Sequence, residues 1–168
     1  SILTAEHWAK SHAYRVLIMT DHPESFTDLG VEIDYISAEE WSTWSGPHNF
    51  NHRRKIVALQ RALANHKVPV VLLDGDTWLR QPVGRLFERI GPGRSLMHIR
   101  EGRISRIQTP LMRSMADFLD GNSFTLSDGS AAELSSESQM WNAGVVGLHP
   151  DDAGILNDVL ALTDQFCQ

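Results

Sequence analysis

Cysteine occurs once in the 168 residues, as Cys167. A single thiol excludes an internal disulfide framework and fits a reducing, cytoplasmic compartment. Basic charge is also scarce: 15 Lys and Arg stand against 21 Asp and Glu, a net charge of −6. An electrostatic footprint for nucleic acid is therefore not expected. No apolar run is long. Val68 to Leu73 is one of the longest and falls far short of the ~20 residues of a membrane-spanning helix. Ser1 to Lys10 is a mixed stretch rather than a basic-then-apolar leader. Repeats, low-complexity tracts and dividing linkers are absent as well. What remains is an ordinary globular balance, 42% hydrophobic and 21% charged, in a chain long enough for one domain with one core. Arginines 94, 100, 103, 106 and 113 gather locally. They read as a solvated, salt-bridged face, with binding of something anionic as the alternative.

Strand and helix patterns alternate along the chain. Residues 4–12 read as a helix, followed by a buried strand from Arg15 to Met19 and a short alternating strand from Val31 to Ile36. Residues 37–52 read as a long loop carrying Trp41, Trp44 and Gly46-Pro47. Arg54 to Asn65 is helical, with Ile56, Leu59 and Leu63 on one stripe. Val68 to Leu73 has the uninterrupted apolar character of a strand covered on both faces. Pro82 opens a helix that Gly91 stops, and Ser95 to Ile99 reads as a strand. Thr109-Pro110 caps a helix ending near Gly121, Val145 to Leu148 is a buried strand, and Pro150-Asp151-Asp152 begins the last helix. This alternation predicts a three-layer α/β sandwich with a mostly parallel central sheet, and Val68 to Leu73 central in it. Ligands then collect outside the carboxyl ends of the strands.

That rule directs attention to Asp74-Gly75-Asp76-Thr77, where the apolar strand ends in two carboxylates. In extended chain, positions two apart point the same way, so both carboxylates can face one ligand. Gly75 permits close backbone approach. Two like charges so placed repel unless a cation sits between them, and an oxygen-only pair suits Mg²⁺ or Mn²⁺ together with phosphate oxygens. The alternative is a pair of solvated turn carboxylates. Haloacid-dehalogenase-type phosphatases also place two aspartates at a strand end, but Trp78 stands where their pattern has Thr or Val.

A helix led by Lys55-Ile56-Val57-Ala58-Leu59, the strand ending in Asp74-Gly75-Asp76-Thr77 with Gln81-Pro82 after it, and Trp141-Asn142-Ala143-Gly144-Val145-Val146-Gly147 come in a fixed order. In that order the chain resembles GT-A-fold glycosyltransferases, the nucleotide-diphospho-sugar transferases of glycogenin-like type, over roughly residues 13–165. The resemblance implies a Rossmann-like fold, a divalent cation (Mn²⁺ or Mg²⁺) and a nucleotide-diphospho-sugar donor, a UDP-sugar first among them. The acceptor is unnamed, no membrane span or nucleic acid is involved, and a homodimer is admitted. By the same resemblance, Asp76 and Asp74 coordinate the metal on the donor diphosphate, with contact to ribose the alternative role of Asp74. Lys55 neutralises phosphate, and Asn142, Ala143 and Gly144 line the sugar side. A non-catalytic sugar-nucleotide or carbohydrate-binding domain is the competing function.

Other residues have weaker claims. Asp128, Glu133 and Glu137 precede Asn142 and are candidates for a base, with a plain acidic loop as the duller explanation. Trp41, Trp44 and Trp78 can stack on a ring or pack in a core. His98 and His149 carry no metal assignment, since His149 adjoins Pro150 as helix-entry residues do. The resemblance also leads one to expect a strand before the first helix and a metal-completing histidine beyond the last. The single domain over residues 1–168 is therefore expected to be truncated at both ends, with a weakened metal site.

Overall fold

A computed structural model describes residues 2–9 and 14–167. α1 spans Ile2–Ala9, and residues 10–12 of the predicted opening helix lie outside the described residues. β1 (Leu17–Thr20) runs parallel to β2 (Glu32–Tyr35), with Ile18 beside Ile33. Residues 37–52 are not one loop. Ser37-Ala38-Glu39-Glu40 is a capping box: the Glu40 amide donates to the Ser37 hydroxyl while the Glu40 carboxylate accepts from the Ser37 amide. Two orphan donors are satisfied at once, and α2 follows over Ala38–Trp44.

α3 (Arg53–His66) buries Leu59, Ala62 and Leu63. β3 begins at Val70 and ends at Leu73. Val68 falls outside it because Pro69 has no N–H to give a ladder, and Val68 itself is exposed. The predicted helix from Pro82 contracts to one turn, α4 (Gly84–Phe87). β4 is only Leu96–Met97, and β5 (Arg100–Arg103) follows. α5 occupies Pro110–Gly121 with the Thr109 hydroxyl accepting from the Met112 amide, as its sequence predicts. β6 (Phe124–Thr125) and β7 (Ala131–Ala132) form a small antiparallel pair. β8 (Gln139–Trp141) leads to β9 (Val145–Leu148). Pro150–Asp152 is a separate 3-10 turn ahead of α6 (Ile155–Phe166).

The sheet corrects the predicted architecture. Among the described residues only β1 and β2 pair in parallel; β3, β9 and β4 form an antiparallel sheet in that order, and β5–β8 and β6–β7 are antiparallel pairs. A mostly parallel three-layer sandwich is not what these residues build. β3 is an edge strand of its sheet and β9 is central. An apolar run fixes that both strand faces are covered, but it carries no information on strand direction or order. Here β8 delivers the chain to Asn142, and β9 then runs back along β3 from Val145 against Leu73 to Leu148 against Val70.

Both faces of β3 carry apolar packing, but each of its four residues is only partly buried. Val70 and Leu72 pack with Leu59, Leu63, Leu148 and Leu156, while Val71 and Leu73 pack with Ile90, Leu96 and Val145. A third cluster holds Ile104, Leu119 and Phe124 beneath α5. Arg61 ties β2 to α2 by reaching Asp34 at 2.6 and 2.8 Å and Glu40 at 2.7 Å. Arg53 grips the Asp164 carboxylate at 2.7 and 3.1 Å, joining α3 to α6. Among the described residues no helix is long and apolar enough to cross a membrane.

Candidate functional site

The β3–β9 ladder continues one step past Leu73, where the Asp74 amide donates to the Gly144 carbonyl oxygen at 3.0 Å. The Thr77 amide then returns to the Asp74 carbonyl oxygen at 3.0 Å, so Asp74 to Thr77 is a turn with Gly75 and Asp76 at its corner. The extended-chain argument for two carboxylates on one side fails at this point. Asp74 is half-buried and Asp76 is exposed. Among the described residues Asp76 makes no hydrogen bond or ion pair.

Asp74 is held from a second direction by α3. Lys55 lies in the first turn of that helix, and its Nζ stands 2.5 Å from Asp74 Oδ1, with both side chains about a third or less exposed. The third contribution is the turn entering β9. Asn142 Oδ1 accepts from the Gly144 amide at 2.8 Å, a local side-chain turn that Asn favours. The Asn142 amide donates to Ile99 O at 2.9 Å, and its Nδ2 donates to Glu101 Oε1 at 3.0 Å. His98 Nδ1 lies 3.2 Å from the same Asn142 Oδ1.

Gly144 is the meeting point. A Cβ there would stand 2.8 Å from Asn142 Oδ1, 3.5 Å from His98 Nδ1 and 3.7 Å from Asp74 Oδ2. Glycine is required by crowding rather than by backbone angle. The structure thus brings together Lys55, Asp74, Asn142 and Gly144 from three parts of the chain. Ala143 is exposed beside them and offers only backbone. The reason for the convergence differs from the predicted one: antiparallel pairing sets the end of β3 against the start of β9, so two parallel strand ends are not involved.

Glu101 is the residue that sequence reasoning missed, and His98, set aside there, also belongs to the site. They follow β4 and open β5, and they reach the site because β4 pairs with β9 and β5 with β8. No spacing rule in the sequence reports those two pairings.

Most of the remaining candidates have ordinary structural duties. The Asp128 carboxyl is held below its usual range by the Ser130 hydroxyl and amide, which close the turn between β6 and β7. Glu137 is lowered by hydrogen bonds from Ser105 and then Arg103, while Glu133 is exposed. Trp41 and Trp44 meet edge-to-face at 5.3 Å between ring centroids, with Arg54 and Arg61 over them. Trp78 and Trp141 are 68% and 48% exposed and flank the site in sequence. His149 Nδ1 accepts from the Asp151 amide, the helix-entry role expected of it. Of the clustered arginines, Arg103 pairs with Glu137 and Arg100 bonds Gln139.

The donor set decides what cation can fit. Among the described residues no group of three or more His, Cys, Asp or Glu side chains could hold a metal ion. One oxygen of Asp74 already faces Lys55, leaving Oδ2 and the exposed Asp76. That pair does not make a closed protein-only metal centre. Asp74 Oδ2 alone is within the one or two carboxylates that Mg²⁺ uses when phosphate oxygens and water complete its shell. Comparison with protein-family profiles, curated proteins and solved structures finds no match to this chain.

Proposed function

We propose that this chain binds a nucleotide-diphospho-sugar at the junction of Asp74 and Gly144 and serves glycosyl transfer from that donor to an acceptor hydroxyl. The observation that carries the reading is the convergence of Lys55, Asp74 and the Asn142-Gly144 turn at one strand end. One cation, one carboxylate and a backbone turn buttressed by His98 and Glu101 supply what a phosphorylated sugar needs. Lys55 neutralises phosphate charge as a compact ammonium. Asp74 keeps that ammonium aimed, and it exchanges the ion pair for cation or ribose contact when the donor arrives. Asn142 locks the Gly144 turn so that backbone groups stay fixed beside the sugar.

Asp74 Oδ2 would hold Mn²⁺ or Mg²⁺ arriving with the diphosphate, with the exposed Asp76 joining it only after the 74–77 turn rotates, and that ion would take up negative charge developing on the departing nucleoside diphosphate. Trp78 and Trp141 are exposed and suit stacking on a base or sugar ring. The second reading, sugar-nucleotide binding without turnover, is favoured by the commitment of Asp128 and Glu137 to local hydrogen bonds, which leaves neither poised as a base.

The test is a thermal-shift screen of nucleoside diphosphates and their sugars, with and without Mn²⁺, followed by assay of sugar release. Binding to the native state raises the melting temperature by mass action, about 2.7 kcal/mol of stabilisation at a hundredfold excess over Kd. Shifts with sugar release support transfer, and shifts without release support the binding domain. The absence of any shift overturns both.

A further inference from the structure

Asn142 is pinned by two groups of fixed hydrogen-bonding sense. The Gly144 amide can only donate, and it meets Asn142 Oδ1 at 2.8 Å. The Glu101 carboxylate can only accept, and it meets Asn142 Nδ2 at 3.0 Å. The oxygen and nitrogen of this side-chain amide are therefore assigned twice, by independent partners. The consequence passes to His98, whose Nδ1 lies 3.2 Å from the same Oδ1. An amide oxygen cannot donate, so Nδ1 must carry the hydrogen of that contact. In the neutral ring this leaves Nε2 with a lone pair.

That lone pair is open to a substrate. The His98 ring is exposed, and among the described residues Nε2 meets no hydrogen-bond partner. The ring also stands beside the donor carboxylate. The point where a Gly144 Cβ would sit is 3.5 Å from His98 Nδ1 and 3.7 Å from Asp74 Oδ2. Imidazole and carboxylate thus flank one small space at Gly144, which a side chain there would fill. Glu101 fixes Asn142, and Asn142 in turn fixes His98. A partner on one ring nitrogen decides which nitrogen is basic and where it points, as the carboxylate of a catalytic triad does for its imidazole.

We propose that His98 is the catalytic base of the transfer reaction, an assignment that rests on the donor reading above. Its Nε2 takes the proton of the acceptor hydroxyl as that oxygen forms its bond to the anomeric carbon. The bond from the same carbon to the diphosphate breaks, and its electron pair leaves with the nucleoside diphosphate. The imidazolium then gives its proton to solvent. Asp128 and Glu137, the carboxylates first considered for this task, are engaged elsewhere by Ser130 and Arg103.

Two measurements test this. Heteronuclear spectra correlating ring hydrogens with both ring nitrogens are expected to show neutral His98 protonated at Nδ1 and bare at Nε2. The opposite tautomer overturns the proposal. The second measurement is UDP-glucose binding and glucose release with Mn²⁺, water serving as the acceptor hydroxyl. His98→Asn keeps an N–H at the position of Nδ1 and deletes Nε2, so a merely structural histidine would tolerate it. The expected result is a fall in kcat of roughly a hundredfold or more, with affinity for UDP unchanged and with partial rescue by imidazole in solution. Unchanged release, an equal loss of UDP affinity, or a loss that imidazole does not restore overturns the proposal alone. Binding without release by the parent also overturns it and leaves the donor site standing. No binding of UDP-glucose by the parent overturns the donor reading and this assignment with it.

Discussion

The Asp74 amide and the Gly144 carbonyl oxygen meet at 3.0 Å, and that bond is the last rung of the β3–β9 ladder. It fixes the Asp74 carboxylate against the Asn142-Gly144 turn, the two elements of the proposed donor site. Rotation of Asp74 away from Gly144 would need the rung to open, so the site is as rigid as the sheet that ends in it.

Lys55→Met separates binding from stability. A partly exposed ion pair contributes about 0–1 kcal/mol to folding, so the melting temperature changes little. A charge-assisted hydrogen bond to phosphate is worth roughly 1.5–3 kcal/mol, so affinity for a nucleoside diphosphate falls about tenfold to a hundredfold. Calorimetric titration of the variant checks the affinity and a thermal melt checks the stability. A large fall in stability with unaltered affinity would make Lys55 structural.

Gly144→Ala sets a methyl group 2.8 Å from Asn142 Oδ1, a clash that displaces Asn142 and with it the His98 contact. The expected outcome is loss of donor binding with the chain still folded. A shifted His98 ring resonance and a normal circular dichroism spectrum are its signatures.

Gly147→Ala acts on the core. Its Cβ would lie 2.5 Å from Ile90 Cδ1 and 3.0 Å from Leu96 Cβ. Overpacking of this kind costs about 1–3 kcal/mol, read as a lower urea midpoint with unchanged slope. Gly144 and Gly147 are three residues apart, yet one variant loses binding and the other stability.

Of these arrangements, the sequence discloses the local ones. The Lys55 helix, the apolar run closing on Asp74 and the Asn142-Ala143-Gly144 strand entry can all be read from periodicity and turn chemistry. The S-x-x-E box at Ser37–Glu40 is equally legible, although the tryptophans and Gly46-Pro47 beyond it carry the pattern of a loop. Pro69 likewise announces that the ladder starts at Val70. Strand direction is another matter. The same apolar sequence serves a parallel or an antiparallel neighbour, so the antiparallel return of β9 along β3 was beyond reach. So too were His98 and Glu101, which arrive by pairings between distant segments.

Acid lability should reach the α2 cap. The Glu40 carboxyl lies below its ordinary value, first through the Ser37 amide and then through Arg61. A lowered folded pKa means the carboxylate stabilises the fold above the unfolded value and loses that contribution as pH falls through the folded one. Glu40→Gln is therefore less stable than the parent at neutral pH, and the gap closes at acid pH. Parallel urea melts at both pH values test this. A gap that persists in acid would contradict it.

The most direct measurement follows the backbone and side-chain resonances of Lys55, Asp74, His98 and Gly144 during titration with UDP and Mg²⁺. Saturable shifts at all four with one shared Kd, abolished by Asp74→Asn, are the predicted result. Shifts absent from these residues, or unaffected by Asp74→Asn, would contradict a donor site at the end of β3.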